Sequence, residues 1–281
     1  MNDAVNRTDF ACKGTLMYTK QDIKKQLADM GAPRNGVVLV HSSLRAVGET
    51  EGRGEGLLSA LIEYFTEEGG LLCIPTHTWA SAGKEGVITL DLLSPKTCIG
   101  TLPDLAAAHP QAKRSLHPTH SMAVFGEGAE EFIADEVRCE TPAPPFGCYG
   151  KIYSRGGKIL LVGVGHNRNT YLHGVEEMLD VPNRLSPAPI PMTVRRADGS
   201  VEKRLSHSHH AEGIGDVSQR YPKYEPAFRH YGHITDGAVG DAAAQLCDAR
   251  GMKEVLELIY KRSGGDELMR DFEPLDPVLY V

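Results

Sequence analysis

The apolar residues of this chain fall into short unbroken runs separated by stretches of helical periodicity. Val37-Val38-Leu39-Val40, Leu71-Leu72-Cys73-Ile74 and the segment Lys158 to Val164 are the runs. Runs of this length, the first of β-branched type, predict buried strands. Ser121 to Phe125 predicts a shorter strand. Between them, Thr19 opens a helix with Asp22 in the capping-box place; Ile23, Leu27 and Met30 share one face, and Gly31 and Pro33 end it. Gly52, Gly54 and Gly56 lead into a second helix with Leu57, Leu58, Leu61, Ile62 and Phe65 inward. Further helices are predicted over Gly128 to Glu136, after Thr170, over Gly240 to Arg250 and over Glu254 to Lys261. Pro191 to Leu205 reads as two mixed strands about an Asp198-Gly199 turn, a hairpin signal. No internal repeat or low-complexity linker interrupts the pattern. It predicts an α/β layered fold, a central mixed β-sheet flanked by helices with a small β-hairpin region. One domain spans 1–281, with 1–15 a loose N-terminal extension. Polar clusters directly after buried strands are where such folds place ligands.

Composition narrows the chemistry. A net charge of −7, with no Lys/Arg cluster longer than a few residues, argues against a basic nucleic-acid surface. No apolar run approaches the ~20 residues of a membrane span. The N-terminal MNDAVNRTDFACKG lacks the apolar stretch of a signal peptide, so the expected location is cytoplasmic. Cys12, Cys73, Cys98, Cys139, Cys148 and Cys247 are scattered, with no C-x-x-C pair. They read as reduced thiols rather than as a zinc knuckle, and no metal is expected.

Several familiar motifs fail at one position. Gly163-Val164-Gly165 follows a strong strand, but Arg168 stands where a dinucleotide turn needs its third glycine. No G-x-x-x-x-G-K-[ST] occurs, and Trp79-Ala80-Ser81-Ala82-Gly83 lacks the first glycine of a nucleophile elbow. His207, His209 and His210 form an H-x-H-H cluster that reads as polar loop histidines, or as the metal site of a hydrolase, although nothing nearby supplies a clean carboxylate or Cys ligand at helical spacing.

Three segments carry chemistry together. His41-Ser42-Ser43-Leu44-Arg45 closes the first strand with hydroxyls and free amides. Arg114 to Ser121, with the sequence RSLHPTHS, is basic and hydroxyl-rich. In the third, His173 lies in the first turn of the helix that follows Thr170, with Glu176 three residues on. At that spacing a carboxylate orients an imidazole, fixes its tautomer and stabilises its cation, as a general base requires. The Thr170 hydroxyl and first-turn amides are candidate oxyanion donors.

In this order the chain reads V-H-S-S-L-R-x-x-G at 40–48, E-G-G-x-L-x-x-P-T-x-T at 68–78, H-P-x-x-S at 117–121 and L-L-V-G-V-G-x-x-x-N-T-x-L-H-x-x-E at 161–176. The ordered set, from about Thr19 to Lys261, resembles the aminoglycoside 3-N-acetyltransferase, or antibiotic N-acetyltransferase, family. The resemblance implies an α/β fold unrelated to the common N-acetyltransferase superfamily. It implies transfer of acetyl from acetyl-CoA, as co-substrate, to an amine of a 2-deoxystreptamine ring. Carried over, the catalytic positions are His173, Glu176 and Thr170. The cofactor positions are Ser42 and Ser43 with His41, Leu44 and Arg45, then Thr76, Ser115, His117 and Ser121. Trp79 and Asp216 are the expected acceptor contacts. The expected partner is a small amine, an aminoglycoside, with no nucleic acid and no membrane; a homodimer is compatible with the sequence. The region after Met178 departs from the family pattern. It holds Asp180, Glu212, Asp216 and Glu225 but also Arg195, Arg196, Lys203 and Arg204. A non-aminoglycoside amine therefore stays open as acceptor, and a non-catalytic CoA-binding protein or a metal-dependent hydrolase are the rival classes.

Overall fold

Val37–Val40 do form a strand buried on both faces, and it lies at the centre of the molecule. The computed structural model describes residues 17–82, 86–265 and 274–281. The strands among them are β1 (Val37–Ser42), β2 (Leu71–Pro75), β3 (Ile88–Asp91), β4 (Lys113–Arg114), β5 (Met122–Phe125), β6 (Lys158–Val162), β7 (Ile190–Arg195), β8 (Val201–Ser206), β9 (Ile234–Val239) and β10 (Ala242–Asp248). Seven of them form a mixed sheet in the order β4-β5-β2-β1-β6-β10-β9. β1 runs parallel to both β2 and β6, and the outer pairings are antiparallel. The expected hairpin is β7-β8, turning through Gly199 at φ 83°, and β3 adds to it in parallel as a third strand.

Alternate residues of β1 enter two separate cores. Val37 and Leu39 pack with Cys73, Ile159, Leu161, Tyr171 and Met252 on one face. Val38 and Val40 pack with Leu61, Phe65, Leu72, Leu160 and Val162 on the other. Helices cover both faces, which is why the strand sequences show no polar alternation. The helix Lys20–Asp29 is closed by a full capping box: Asp22 N donates to Thr19 Oγ1 at 3.2 Å, and Thr19 N donates to Asp22 Oδ2 at 2.9 Å.

The expected helix over Gly240 to Arg250 is not one. Gly240-Asp241 is a two-residue turn joining β9 to β10, with Val239 paired to Ala242. The alanines favour a helix in isolation. However, Ala242, Ala244 and Leu246 alternate with the more exposed Ala243 and Gln245, and this period of two buries one face against the helical layer. The helix begins only at Ala249, where the Asp248 carboxylate caps Gly251 N at 2.7 Å, and it continues to Ser263. Gly128 to Glu136 divides into a helix Ala129–Ile133 and a 3-10 turn Ala134–Arg138. The expected extension over 1–15, with Cys12, lies outside the described residues. The five described cysteines are free. No helix among the described residues is long and apolar enough to cross a membrane.

Candidate active site

The chain leaves β1 toward β2 on one side and reaches β6 on the other. The loops after these three parallel strands diverge and leave a crevice at their carboxyl ends. A cavity of about 1080 Å³ opens there. Its walls carry His41 to Arg45 from the end of β1, His77 and Trp79 after β2, Val164 and Asn167 to Thr170 after β6, and His173. Gly163 makes the turn after β6 possible. Its φ is 62°, and a Cβ there would lie 2.4 Å from Ala46 Cβ.

His173 sits in the first turn of the helix Tyr171–Met178, and Glu176 follows on the same face. Their closest approach, Nδ1 to Oε2, is 3.7 Å, too long for a hydrogen bond. Tyr221 closes the gap. Its hydroxyl donates to Glu176 Oε2 at 2.5 Å and lies 2.7 Å from His173 Nδ1. The phenol has one proton and gives it to the carboxylate, so His173 Nδ1–H is the donor to the phenol oxygen. This leaves the lone pair of Nε2 free at the opposite edge of the ring. Arg184 Nε donates to the other carboxylate oxygen at 2.6 Å, and both side chains of this ion pair are almost wholly buried. Burial resists ionisation of Glu176, but His173, Arg184 and Tyr221 outweigh it and hold the carboxyl below its usual range. Burial and the Glu176 charge push the Tyr221 phenol well up, which keeps it a neutral donor.

The ring of His209 lies on the ring of His173 with centroids 3.9 Å apart and planes 24° from parallel. His120 meets His209 edge-on at 4.6 Å, and His77 meets His120 at 4.5 Å. His77 Nε2 in turn is 2.9 Å from the Tyr149 hydroxyl, which interacts with Thr170. Burial, then the neighbouring histidines, keep His77, His120 and His209 neutral far below the ordinary imidazole range. Burial lowers His41 to about 3 and His117 to about 4. Among the described residues no three His, Cys, Asp or Glu side chains are grouped to hold a metal ion.

Of the predicted positions, His41, Ser42, Ser43, Leu44, Arg45, Trp79, Thr170, His173 and Asp216 line the cavity. Thr76, Ser115, His117 and Ser121 form a bonded frame and are not on its wall. Thr76 and Ser121 share a hydroxyl contact at 2.9 Å. Ser115 Oγ accepts from Met122 N at 2.9 Å, and His117 Nδ1 accepts from His120 N at 2.9 Å. From the same segments the wall takes His77, Thr119 and His120 instead. His41 Nε2 and Ser42 Oγ, at the end of β1, are buried without a hydrogen-bond partner. Arg45 and Arg168 add two guanidinium groups suited to phosphate. The oxygens of Asp216 already cap Ser218 N at 3.1 Å and hold Gln219 Nε2 at 2.9 Å.

Tyr221, Arg184 and His209 were not predicted as parts of the site. Only the H-x-H-H cluster gave a signal for His209. Tyr221 and Arg184 arrive from 3-10 and loop segments, where no local pattern marks them.

The family described as aminoglycoside 3-N-acetyltransferase matches residues 39–260. Aminoglycoside N(3)-acetyltransferase IV from Salmonella sp. is 30% identical over 276 residues, covering 92% of this chain and 97% of that protein. Aminoglycoside N(3)-acetyltransferase VII from Streptomyces paromomycinus is 28% identical, covering 83% and 88%. Among solved structures, a histidine-to-alanine mutant of aminoglycoside acetyltransferase AAC(3)-IVa in complex with gentamicin superposes with a TM-score of 0.75 at 26% identity, covering 96% and 93%. A binary complex of AAC-IIIb with CoASH shares the fold, with a TM-score of 0.73 at 21% identity, covering 88% and 98%.

Proposed function

Because the chain belongs to the aminoglycoside 3-N-acetyltransferase family, we propose that it moves acetyl from acetyl-CoA to the 3-amino group of an aminoglycoside's 2-deoxystreptamine ring, with His173 as general base. The observation that carries this reading is the His173–Tyr221–Glu176 chain beside the cavity, which engages Nδ1 of the imidazole and leaves Nε2 to act as the base.

The ammonium of the acceptor sheds its first proton to solvent. The neutral nitrogen then attacks the thioester carbonyl while Nε2 of His173 takes a proton from it. The resulting imidazolium is stabilised through Tyr221 by the ionised Glu176. The negative charge on the carbonyl oxygen needs donors, and Thr170 stands on the cavity wall beside His173. Collapse forms the amide, expels the CoA thiolate, and returns the proton from His173 to sulfur. Both substrates are bound together, because attack needs the reacting atoms about 3–3.5 Å apart. Ser42, Ser43, His41 and Leu44 would hold the CoA chain, with Arg45 on phosphate. Thr76, Ser115, His117 and Ser121 would act from behind, by fixing the wall. Asp216 would meet an acceptor ammonium, and Trp79, half exposed, would meet a sugar face. Drawing on CoA, the proposed reaction would take place in the cytoplasm.

Mass spectrometry of gentamicin or apramycin incubated with the protein and acetyl-CoA tests this. A singly acetylated product, assigned to the 3-amino group by NMR, supports it; an unmodified aminoglycoside contradicts it. One observation favours a second reading. Among the described residues lining the cavity, Asp216 is the sole carboxylate, whereas Arg45 and Arg168 are cations. A polycation favours several carboxylates. An amine with fewer charges is the alternative acceptor, and transfer to simple monoamines but not to aminoglycosides would establish it.

A further inference from the structure

We propose that His209 is a positioning residue for this transfer: its ring is the platform on which the His173 imidazole lies, and it sets the direction of Nε2. The proposal rests on the reading of His173 as the base. Tyr221 grips that imidazole at one edge only. A single hydrogen bond leaves the ring free to rock about it, since rotation of an imidazole about its last torsion is soft. The face-to-face contact with His209, at 3.9 Å and 24°, removes that freedom.

His209 is itself held on two sides. His120 abuts it edge-on, and its backbone bridges to Leu185, beside the Arg184 that clasps Glu176. The base and its carboxylate are thus referenced to one small piece of backbone. Burial and the charge of any protonated neighbour, His173 first, keep His209 uncharged. The imidazolium that forms in turnover therefore rests on a neutral π face, a favourable contact for a cation. The ring also hydrogen-bonds the Arg184 backbone, while its Nε2 is buried without a partner.

The test compares His209→Phe with His209→Leu, both assayed for acetyl transfer and both examined by NMR at the His173 Cε1 proton. The phenyl ring keeps the stack; the leucine fills similar space without a ring. The expected result is a kcat for His209→Phe within about threefold of wild type and a loss of about tenfold or more for His209→Leu. KM for acetyl-CoA should change little in either. The His173 resonance should stay at its ring-current-shifted position with Phe and move downfield with Leu. Equal kcat in the two variants overturns the proposal, because a merely space-filling role, or a role for the ring nitrogen, gives that result. An unmoved His173 resonance in His209→Leu also overturns it, whatever the activity. Failure of the underlying reading looks different: His173→Ala would then transfer acetyl as fast as wild type.

Discussion

Replacing Tyr221 by Phe removes one oxygen atom and two hydrogen bonds. In the native protein that oxygen spans the 3.7 Å between His173 Nδ1 and Glu176 Oε2. Without it, neither atom reaches the other. Glu176 keeps Arg184 at 2.6 Å, so the carboxylate stays ionised and buried. His173 loses the acceptor that selects its tautomer and that relays the carboxylate's charge to the imidazolium. A hydrogen bond to a charged group contributes about 1.5–3 kcal/mol. Because the charge on His173 develops during attack, most of that loss falls on the transition state. At about 1.4 kcal/mol per factor of ten, kcat should fall roughly 10- to 100-fold while KM for both substrates holds nearly constant. The assay is steady-state thiol release from acetyl-CoA against a saturating amine. A kcat for Tyr221→Phe within about threefold of wild type would refute the bridge, since it would mean that His173 and Glu176 cooperate without the phenol.

Four further outcomes follow from the same geometry. Arg184→Ala leaves a buried carboxylate unpaired and should lower unfolding free energy by about 3–5 kcal/mol in urea titrations; a loss under about 1 kcal/mol would show the pair is not carrying charge. Acidification should destabilise the fold before carboxylates titrate. His41, His117 and His166 are lowered by burial to about 3, 4 and 4, so the unfolded chain binds protons that the native one refuses. Stability is full above about pH 6.5 and should fall below it by about 1.4 kcal/mol per pH unit per histidine; a flat profile between pH 7 and 5 would contradict those burials. Gly163→Ala forces a side chain into φ 62° against Ala46, and should lower Tm and weaken CoA binding together, read by thermal shift with and without CoA. Thr19→Ala should cost about 1 kcal/mol through the lost cap while leaving transfer rates unchanged.

The central sheet was legible because strands covered on both faces must be apolar at every position, as Val37–Val40 and Leu71–Ile74 are. The His173 helix was legible through its Thr170 boundary and the three-residue spacing to Glu176. The β9-β10 hairpin was misread because alanine carries helix propensity, while the opposing evidence, the Gly-Asp turn and the alternation of burial, takes its meaning from the neighbouring strand. Within the site, the strand-end residues His41 to Arg45 could be placed from the chain alone. Tyr221 and His209 could not, because each is dozens of residues from His173 in sequence and reaches it only through the tertiary fold. The exchange of His77 for Thr76 on the cavity wall has a simpler cause: neighbouring residues leaving a strand face opposite ways. Thr119 and His120 lie in the turn ahead of β5, which no strand period describes.

The most direct test of the account is thiol release from acetyl-CoA, followed with gentamicin or apramycin as acceptor in wild type and His173→Ala. The account predicts acceptor-dependent release in wild type and a collapse of kcat in the variant, with CoA still raising the melting temperature of both. Release that survives in His173→Ala would contradict the assignment of the base.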